Sequence, residues 1–67
     1  MNISLNNRPE QIDKNSLTIQ ELIDYKNYTF KMLVVKVNNQ LVRKEKYGET
    51  EIRDGDDVTI LHMISGG

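Results

Sequence analysis

Apolar and polar positions alternate near both ends of this chain, and a helical spacing replaces the alternation between them. In residues 1–5, Ile3 and Leu5 point to one side of a strand while the polar residues point to the other. The pair Asn6-Asn7 tolerates the left-handed backbone of a tight turn. Residues 8–12 are therefore predicted to return as the second strand of an N-terminal hairpin.

A helix is predicted after this hairpin, because the spacing of the apolar residues changes there. Thr18 and Glu21 match a capping box, in which each side chain accepts a hydrogen bond from the other residue's backbone amide. Ile19, Leu22 and Ile23 follow at helical spacing. The segment predicts one amphipathic helix of about two to three turns that ends near residues 25–27.

The remaining apolar segments again have the period of a strand. Residues 33–37 alternate and lead through a turn at residues 38–40 into a short strand at residues 41–43. Residues 58–62 form the last strand, after an acidic turn at residues 54–57. The pattern as a whole therefore predicts strands on both sides of a single helix.

The order of these elements predicts the architecture. One helix can cover the apolar face of a sheet only if it lies across that face. We therefore predict an α+β fold of the ubiquitin-like β-grasp type, with a mixed sheet of four to five strands wrapped on one short helix. The N-terminal hairpin and the last strand would pair in the middle of the sheet. Residues 1–63 are expected to form a single β-grasp domain, and residues 64–67 a flexible tail ending in Gly-Gly.

Composition argues against several classes of function. A chain of 67 residues buries a small core, which leaves little room for the substrate cavity of an enzyme. It contains no cysteine, which removes disulfides, thiolate metal sites and a cysteine nucleophile. The net charge of −1 comes without a basic stripe for nucleic acid, and no apolar run is long enough to span a bilayer. We therefore expect a cytoplasmic protein that is not an enzyme and binds no nucleic acid, membrane, cofactor or metal.

One face of the last strand is predicted to be exposed beside the end of the chain. Val58 and Ile60 are expected to face the helix. The alternate residues would then face outward, together with two residues of the middle strand: Val34, Lys36, Thr59, Leu61 and Met63. Such an apolar patch is a candidate partner surface, although isolated exposed apolar residues are also common on small domains.

The final dipeptide, Gly66-Gly67, is a candidate chemical group. Two glycines bury nothing and lose the most entropy when they are ordered, so they are a poor way to end a fold. Without a Cβ, however, their backbone can enter a narrow active site and approach a nucleotide closely. A carboxylate at this end becomes an acyl donor once it is activated, for example by adenylation.

Several segments of the chain resemble the ThiS family, the sulfur carriers of thiamine biosynthesis. The resemblance covers the whole chain and is strongest from Ile52 onward, in the turn Asp54-Gly55-Asp56, the strand at residues 58–61 and the ending Ile64-Ser65-Gly66-Gly67. Residues 37–43 are similar to the central turn of that family, and residues 18–23 to its short helix.

The resemblance implies a specific role for the tail. An E1-like adenylyltransferase would adenylate the carboxylate of Gly67 with ATP and magnesium. A persulfide relay fed by a cysteine desulfurase would then convert it to a thiocarboxylate that delivers sulfur to thiazole synthase. Gly66 and Gly67 would carry this chemistry, and the partner-binding residues would be the following: Val34, Thr59, Leu61, Met63, Ile64 and Ser65.

Other functions are compatible with the same pattern. The small subunit of molybdopterin synthase uses the same terminal chemistry in somewhat longer chains, and a ubiquitin-like modifier would be joined to lysines through Gly67. A β-grasp binding module would not use the glycines at all. His62 is expected to be a partly buried structural residue, and the acidic residues 54–57 are explained by a turn better than by a cation site.

Overall fold

The computed structural model describes residues 1–29 and 32–63, and these residues form seven strands, one α-helix and one 3₁₀ helix. The first half contains β1 (Asn2–Leu5), β2 (Arg8–Gln11), β3 (Ser16–Thr18) and α1 (Ile19–Tyr25). The second half contains β4 (Leu33–Val37), β5 (Gln40–Val42), the 3₁₀ helix (Lys44–Lys46), β6 (Glu51–Arg53) and β7 (Asp57–His62). Neither helix in the described part of the chain has the length and apolarity that a membrane span requires.

Five of the strands form one mixed sheet in the order β2-β1-β7-β4-β5. The two central strands, β1 and β7, are parallel, and the pairs β1–β2, β4–β7 and β4–β5 are antiparallel. The first and last strands therefore lie side by side in the middle of the sheet, and the β-grasp prediction is confirmed. Because Pro9 cannot donate a backbone hydrogen bond, its place on the edge strand β2 follows from its chemistry.

Asparagine pairs form the tight turns of both hairpins of this sheet. Asn6 and Asn7 have φ values of 53° and 65°, and Asn38 and Asn39 have values of 50° and 70°. Positive φ at both central residues gives a turn whose twist matches that of the flanking strands, and asparagine tolerates this conformation better than most residues. The turns fix the register in which Leu5 pairs with Arg8, and Val37 with Gln40.

The helix lies against the inner face of the sheet and closes the core. Its capping box is present as predicted: the Glu21 amide donates to Thr18 Oγ1 at 3.1 Å, and the Thr18 amide donates to Glu21 Oε1 at 2.9 Å. Its buried side chains, Ile19, Leu22 and Ile23, belong to a core with the inward residues of the strands. That core consists of the following buried residues: Ile3, Leu5, Ile12, Leu17, Ile19, Leu22, Ile23, Val35, Tyr47, Ile52, Val58 and Ile60.

A second, two-stranded sheet of β3 and β6 was not predicted from the sequence. It pairs Ser16 with Arg53, Leu17 with Ile52, and Thr18 with Glu51, and the central pair is buried. Each strand has three residues and one apolar side chain, which is too short for a period to be detected.

Candidate docking face and carboxyl-terminal site

The predicted outward-facing residues of β4 and β7 lie together on the side of the sheet opposite the helix. Val34 pairs with Leu61, and Lys36 pairs with Thr59. The residues between them in sequence, among them Val35 and Ile60, are buried in the core. Since successive side chains of a strand point to opposite faces, this pattern places the predicted partner-binding residues of the two strands on one outer surface.

Leu41 belongs to the same outer surface, although it was missing from the predicted set. It lies on the edge strand β5 directly opposite Lys36, and 64% of its surface is exposed. The two-residue turn at Asn38-Asn39 predicts this position of Leu41, because such a turn fixes which residues of the two strands pair. We call the five residues of this surface the docking face: Val34, Lys36, Leu41, Thr59 and Leu61.

Met63 lies at the end of this face, at the last described position before the tail. Its amide donates to the carbonyl of Met32 at 2.9 Å, which extends the contact between the two strands beyond the pair of Leu33 with His62. About half of the surface of each methionine is exposed. The predicted site residues Ile64, Ser65, Gly66 and Gly67 lie outside the described residues.

A groove of about 600 Å³ opens between the helix and the edge strand, and Met63 also lines it. Its apolar lining includes Ile23, Leu33, Val42 and Tyr47. Burial raises the pKa of the Tyr47 phenol above its ordinary value of 10.0. Leu41 of the docking face and Met63 at its end are therefore also accessible from the groove, whereas Leu61 is not among the residues that line it.

The acidic turn before β7 has a structural role. Asp54 Oδ1 accepts from the Asn2 amide at 2.7 Å, which ties the turn to the first strand. Asp56 Oδ2 accepts from the Arg53 amide at 2.9 Å, and its Oδ1 accepts from Asn38 Nδ2 at 3.1 Å. Within residues 1–29 and 32–63, no three acidic, histidine or cysteine side chains are grouped to hold a metal ion.

The expectation for His62 was wrong, because this residue is exposed rather than partly buried. It shares the parity of Val58 and Ile60 along β7, and those two residues are buried. His62, however, is the last residue of the strand and pairs with Leu33 at the start of β4. The parity of a strand residue predicts burial only where the core extends beneath it.

Comparison with known proteins gives one consistent family. The model of the ThiS family matches residues 3–67. The chain is 32% identical over 65 residues to the sulfur carrier protein ThiS of Bacillus subtilis (strain 168), with 97% of this chain and 98% of the relative covered. The crystal structure of the thiamine biosynthesis protein ThiS from Geobacter metallireducens has a TM-score of 0.90 and 29% identity, with 100% of both chains covered. A solution structure of a thiamine biosynthesis protein from the same organism has a TM-score of 0.81 and 29% identity, and 88% of that chain is covered.

Proposed function

The chain belongs to the ThiS family of sulfur carriers in thiamine biosynthesis, and from that premise we propose that it carries sulfur on the C-terminal carboxylate of Gly67. Two observations support this position. The family match extends to residue 67, so the Gly-Gly ending is included in the similarity. The chain contains no cysteine, so the sulfur needs an attachment other than a thiol of this protein.

The proposed chemistry begins with activation of the carboxylate. In the active site of an E1-like adenylyltransferase, a carboxylate oxygen attacks the α-phosphate of ATP, and pyrophosphate leaves with its magnesium ion. The product is an acyl adenylate, in which AMP is a good leaving group. This step turns an inert carboxylate into an acyl donor, which is the reason a carrier of this kind depends on a partner enzyme and its ATP.

Sulfur then replaces one oxygen of the carboxylate. A persulfide supplied through a cysteine desulfurase attacks the acyl carbon, and AMP leaves with the oxygen that attacked the phosphate. A second thiol cleaves the resulting acyl disulfide, so that the donor cysteine ends as a disulfide and the thiocarboxylate is released. The thiocarboxylate is the nucleophile that thiazole synthase uses to build the thiazole ring. Because this chemistry consumes ATP and needs a cysteine desulfurase, we propose that it takes place in the cytoplasm.

The docking face supports this function because of its position. Leu61 lies on the outer surface of β7, the strand that leads to the tail, opposite Val34 of β4, and Met63 is two residues beyond Leu61. The four residues after Met63 can span at most about 14 Å when fully extended. A partner that contains the reacting carboxylate in its active site must therefore contact the domain close to Met63, which lies at the end of the docking face. We propose that Ile64 and Ser65 contact the same partner on the way to Gly66.

Reconstitution tests the proposed function directly. The purified chain is incubated with the activating enzyme, ATP, magnesium and a sulfur donor, and its intact mass is measured. We expect a fraction heavier by the exchange of one oxygen for sulfur, and no such fraction when Gly67 is deleted. Gly66→Ala is expected to lower the yield strongly, because a Cβ obstructs the narrow approach to the nucleotide.

Gly48→Ala provides a matched control for this substitution. A Cβ at Gly48 meets no atom within 4 Å, and the residue is not part of the proposed chemistry. We expect Gly48→Ala to react as the wild-type chain does. Conversion of the Gly67 deletion, or a complete lack of conversion of the wild-type chain, would contradict the proposed function.

A further inference from the structure

The side chain of Asn6 holds the end of β7 in a way that the turn does not require. Asn6 follows β1, and its backbone amide donates to the carbonyl of Val58 at 2.9 Å. Its carboxamide makes two hydrogen bonds to Ile60: Nδ2 donates to the carbonyl oxygen at 3.0 Å, and Oδ1 accepts from the amide at 2.8 Å. The side chain therefore supplies the donor and acceptor that a further residue of β1 would offer.

This contact lies where β7 loses its neighbour on one side. The backbone register of β7 with β1 ends at the pair of Leu5 with Val58, whereas its register with β4 continues to His62. The amide and carbonyl of Ile60 point toward the β1 side, and Ile60 is 5% exposed. Buried backbone groups need hydrogen-bond partners, so the Asn6 carboxamide continues the hydrogen bonding of β7 past the end of β1.

The held segment is also the base of the reacting tail. Three described residues separate the Asn6 contact at Ile60 from the tail: Leu61, His62 and Met63. Transfer to a bound nucleotide depends on placement, and a misplacement of about 1 Å can cost about a hundredfold in rate. A rotation of β7 about its pairing with β4 would move the base of the tail relative to the docking face, and the two bonds of Asn6 oppose that rotation.

We propose that Asn6 is a positioning residue for activation of the tail: its carboxamide fixes the end of β7 so that a docked carrier presents its C-terminal carboxylate to the α-phosphate of ATP. This assignment rests on the proposed function. It separates two tasks of the domain. The docking face determines how tightly the partner binds, and Asn6 determines how often the bound terminus is in the reactive position.

The chain offers a closely matched pair of variants for the test. Asn6→Gly removes the carboxamide while glycine accepts the backbone φ of 53° without strain. Asn7→Gly makes the same change at the next residue, where φ is 65° and the side chain is exposed. The Asn7 side chain takes part in none of the hydrogen bonds found in residues 1–29 and 32–63. Asn6→Asp is a second variant, because a carboxylate keeps the acceptor for the Ile60 amide but replaces the donor with an oxygen that repels the Ile60 carbonyl oxygen.

Each variant is measured well below its melting temperature, by the affinity for the activating enzyme and by the rate of thiocarboxylate formation at saturating carrier. For Asn6→Gly we expect an affinity within about twofold of wild type and a kcat lower by about tenfold, and Asn6→Asp should lower kcat at least as much. Asn7→Gly is expected to match wild type in both. Amide hydrogen exchange should show faster exchange at Ile60 in Asn6→Gly, with core amides such as that of Ile3 less affected.

Equal kcat values for the Asn6→Gly and Asn7→Gly variants would overturn the assignment, even if Asn6→Gly melted at a lower temperature. In that case Asn6 would stabilise the fold without positioning the tail. A parallel loss of affinity and kcat in Asn6→Gly would also overturn it, since docking and positioning would not be separate. If the wild-type chain formed no thiocarboxylate, the proposed function would fail and the assignment would fall with it.

Discussion

Replacement of Leu61 by serine tests whether the outer surface of the sheet is where the activating enzyme binds. Leu61 is 53% exposed in the free chain, so about half of its side chain is available to be covered by a partner. Full burial of a leucine side chain contributes about 1.5–3 kcal/mol, and covering the exposed half contributes about 0.8–1.6 kcal/mol. At about 1.4 kcal/mol for each tenfold change, Leu61→Ser should weaken docking about 4- to 15-fold.

The assay is the initial rate of pyrophosphate release at saturating ATP over a range of carrier concentrations. A contact that is equally strong before and during the reaction changes KM and leaves kcat in place. We therefore expect a higher KM for Leu61→Ser with a kcat close to wild type. Leu41→Ser should behave in the same way, because Leu41 lies on the same face and is exposed to a similar extent.

Tyr25→Ser is the control for these two variants. Tyr25 is 58% exposed, but it lies at the end of the helix rather than in the sheet. Its loss removes a similar amount of exposed apolar surface from a different part of the molecule, and the KM should not change. Equal KM values for Leu61→Ser and Tyr25→Ser would refute the docking face, and a raised KM for Tyr25→Ser alone would move the interface to the helix.

Three further predictions concern charge, the helix and pH. Lys36→Glu, in the middle of the docking face, should slow association with an acidic surface of the activating enzyme at low salt, and the effect should shrink as salt is added. Stopped-flow association rates check this, with Lys14→Glu as the control, because Lys14 is an exposed lysine in the loop after β2. Thr18→Ala removes the cap of the helix and should lower the free energy of unfolding by about 1 kcal/mol, which corresponds to about 4–8 °C in melting temperature for a domain of this size. Its kcat should be unchanged when it is measured below the unfolding transition. Because burial raises the pKa of Tyr47, folding favours its protonated form, so this contribution to stability is complete below pH 10.0 and is lost as the pH rises above that value. Tyr47→Phe should therefore show a smaller loss of melting temperature above pH 10.0 than wild type does, and an equal loss would contradict the assignment.

Much of the fold could be predicted because local and long-range signals agree. The asparagine turns, the capping box at Thr18 and the alternation in β7 each specify one element, and one helix has to cover the sheet that results. The small sheet of β3 and β6 could not be predicted, because its strands lie far apart in sequence and contain one apolar residue each.

The site was predictable to the extent that strand parity determines it. Parity placed Val34, Thr59 and Leu61 on one surface correctly, and the register of the turn would have added Leu41. The same rule failed for His62, because a strand residue is buried only where the core extends beneath it. The role of the Asn6 side chain could not be predicted, since an asparagine in a turn has the same sequence signature whether or not its carboxamide reaches another strand.

The central claim is that sulfur travels on Gly67, and the most direct measurement is the intact mass of the chain from cells that grow without thiamine. We predict a fraction heavier by the exchange of one oxygen for sulfur, located by fragmentation to the C-terminal residue, and absent when Gly67 is deleted. A chain that shows a single unmodified mass in these cells, and that also fails to gain sulfur in the reconstituted reaction, would contradict the claim.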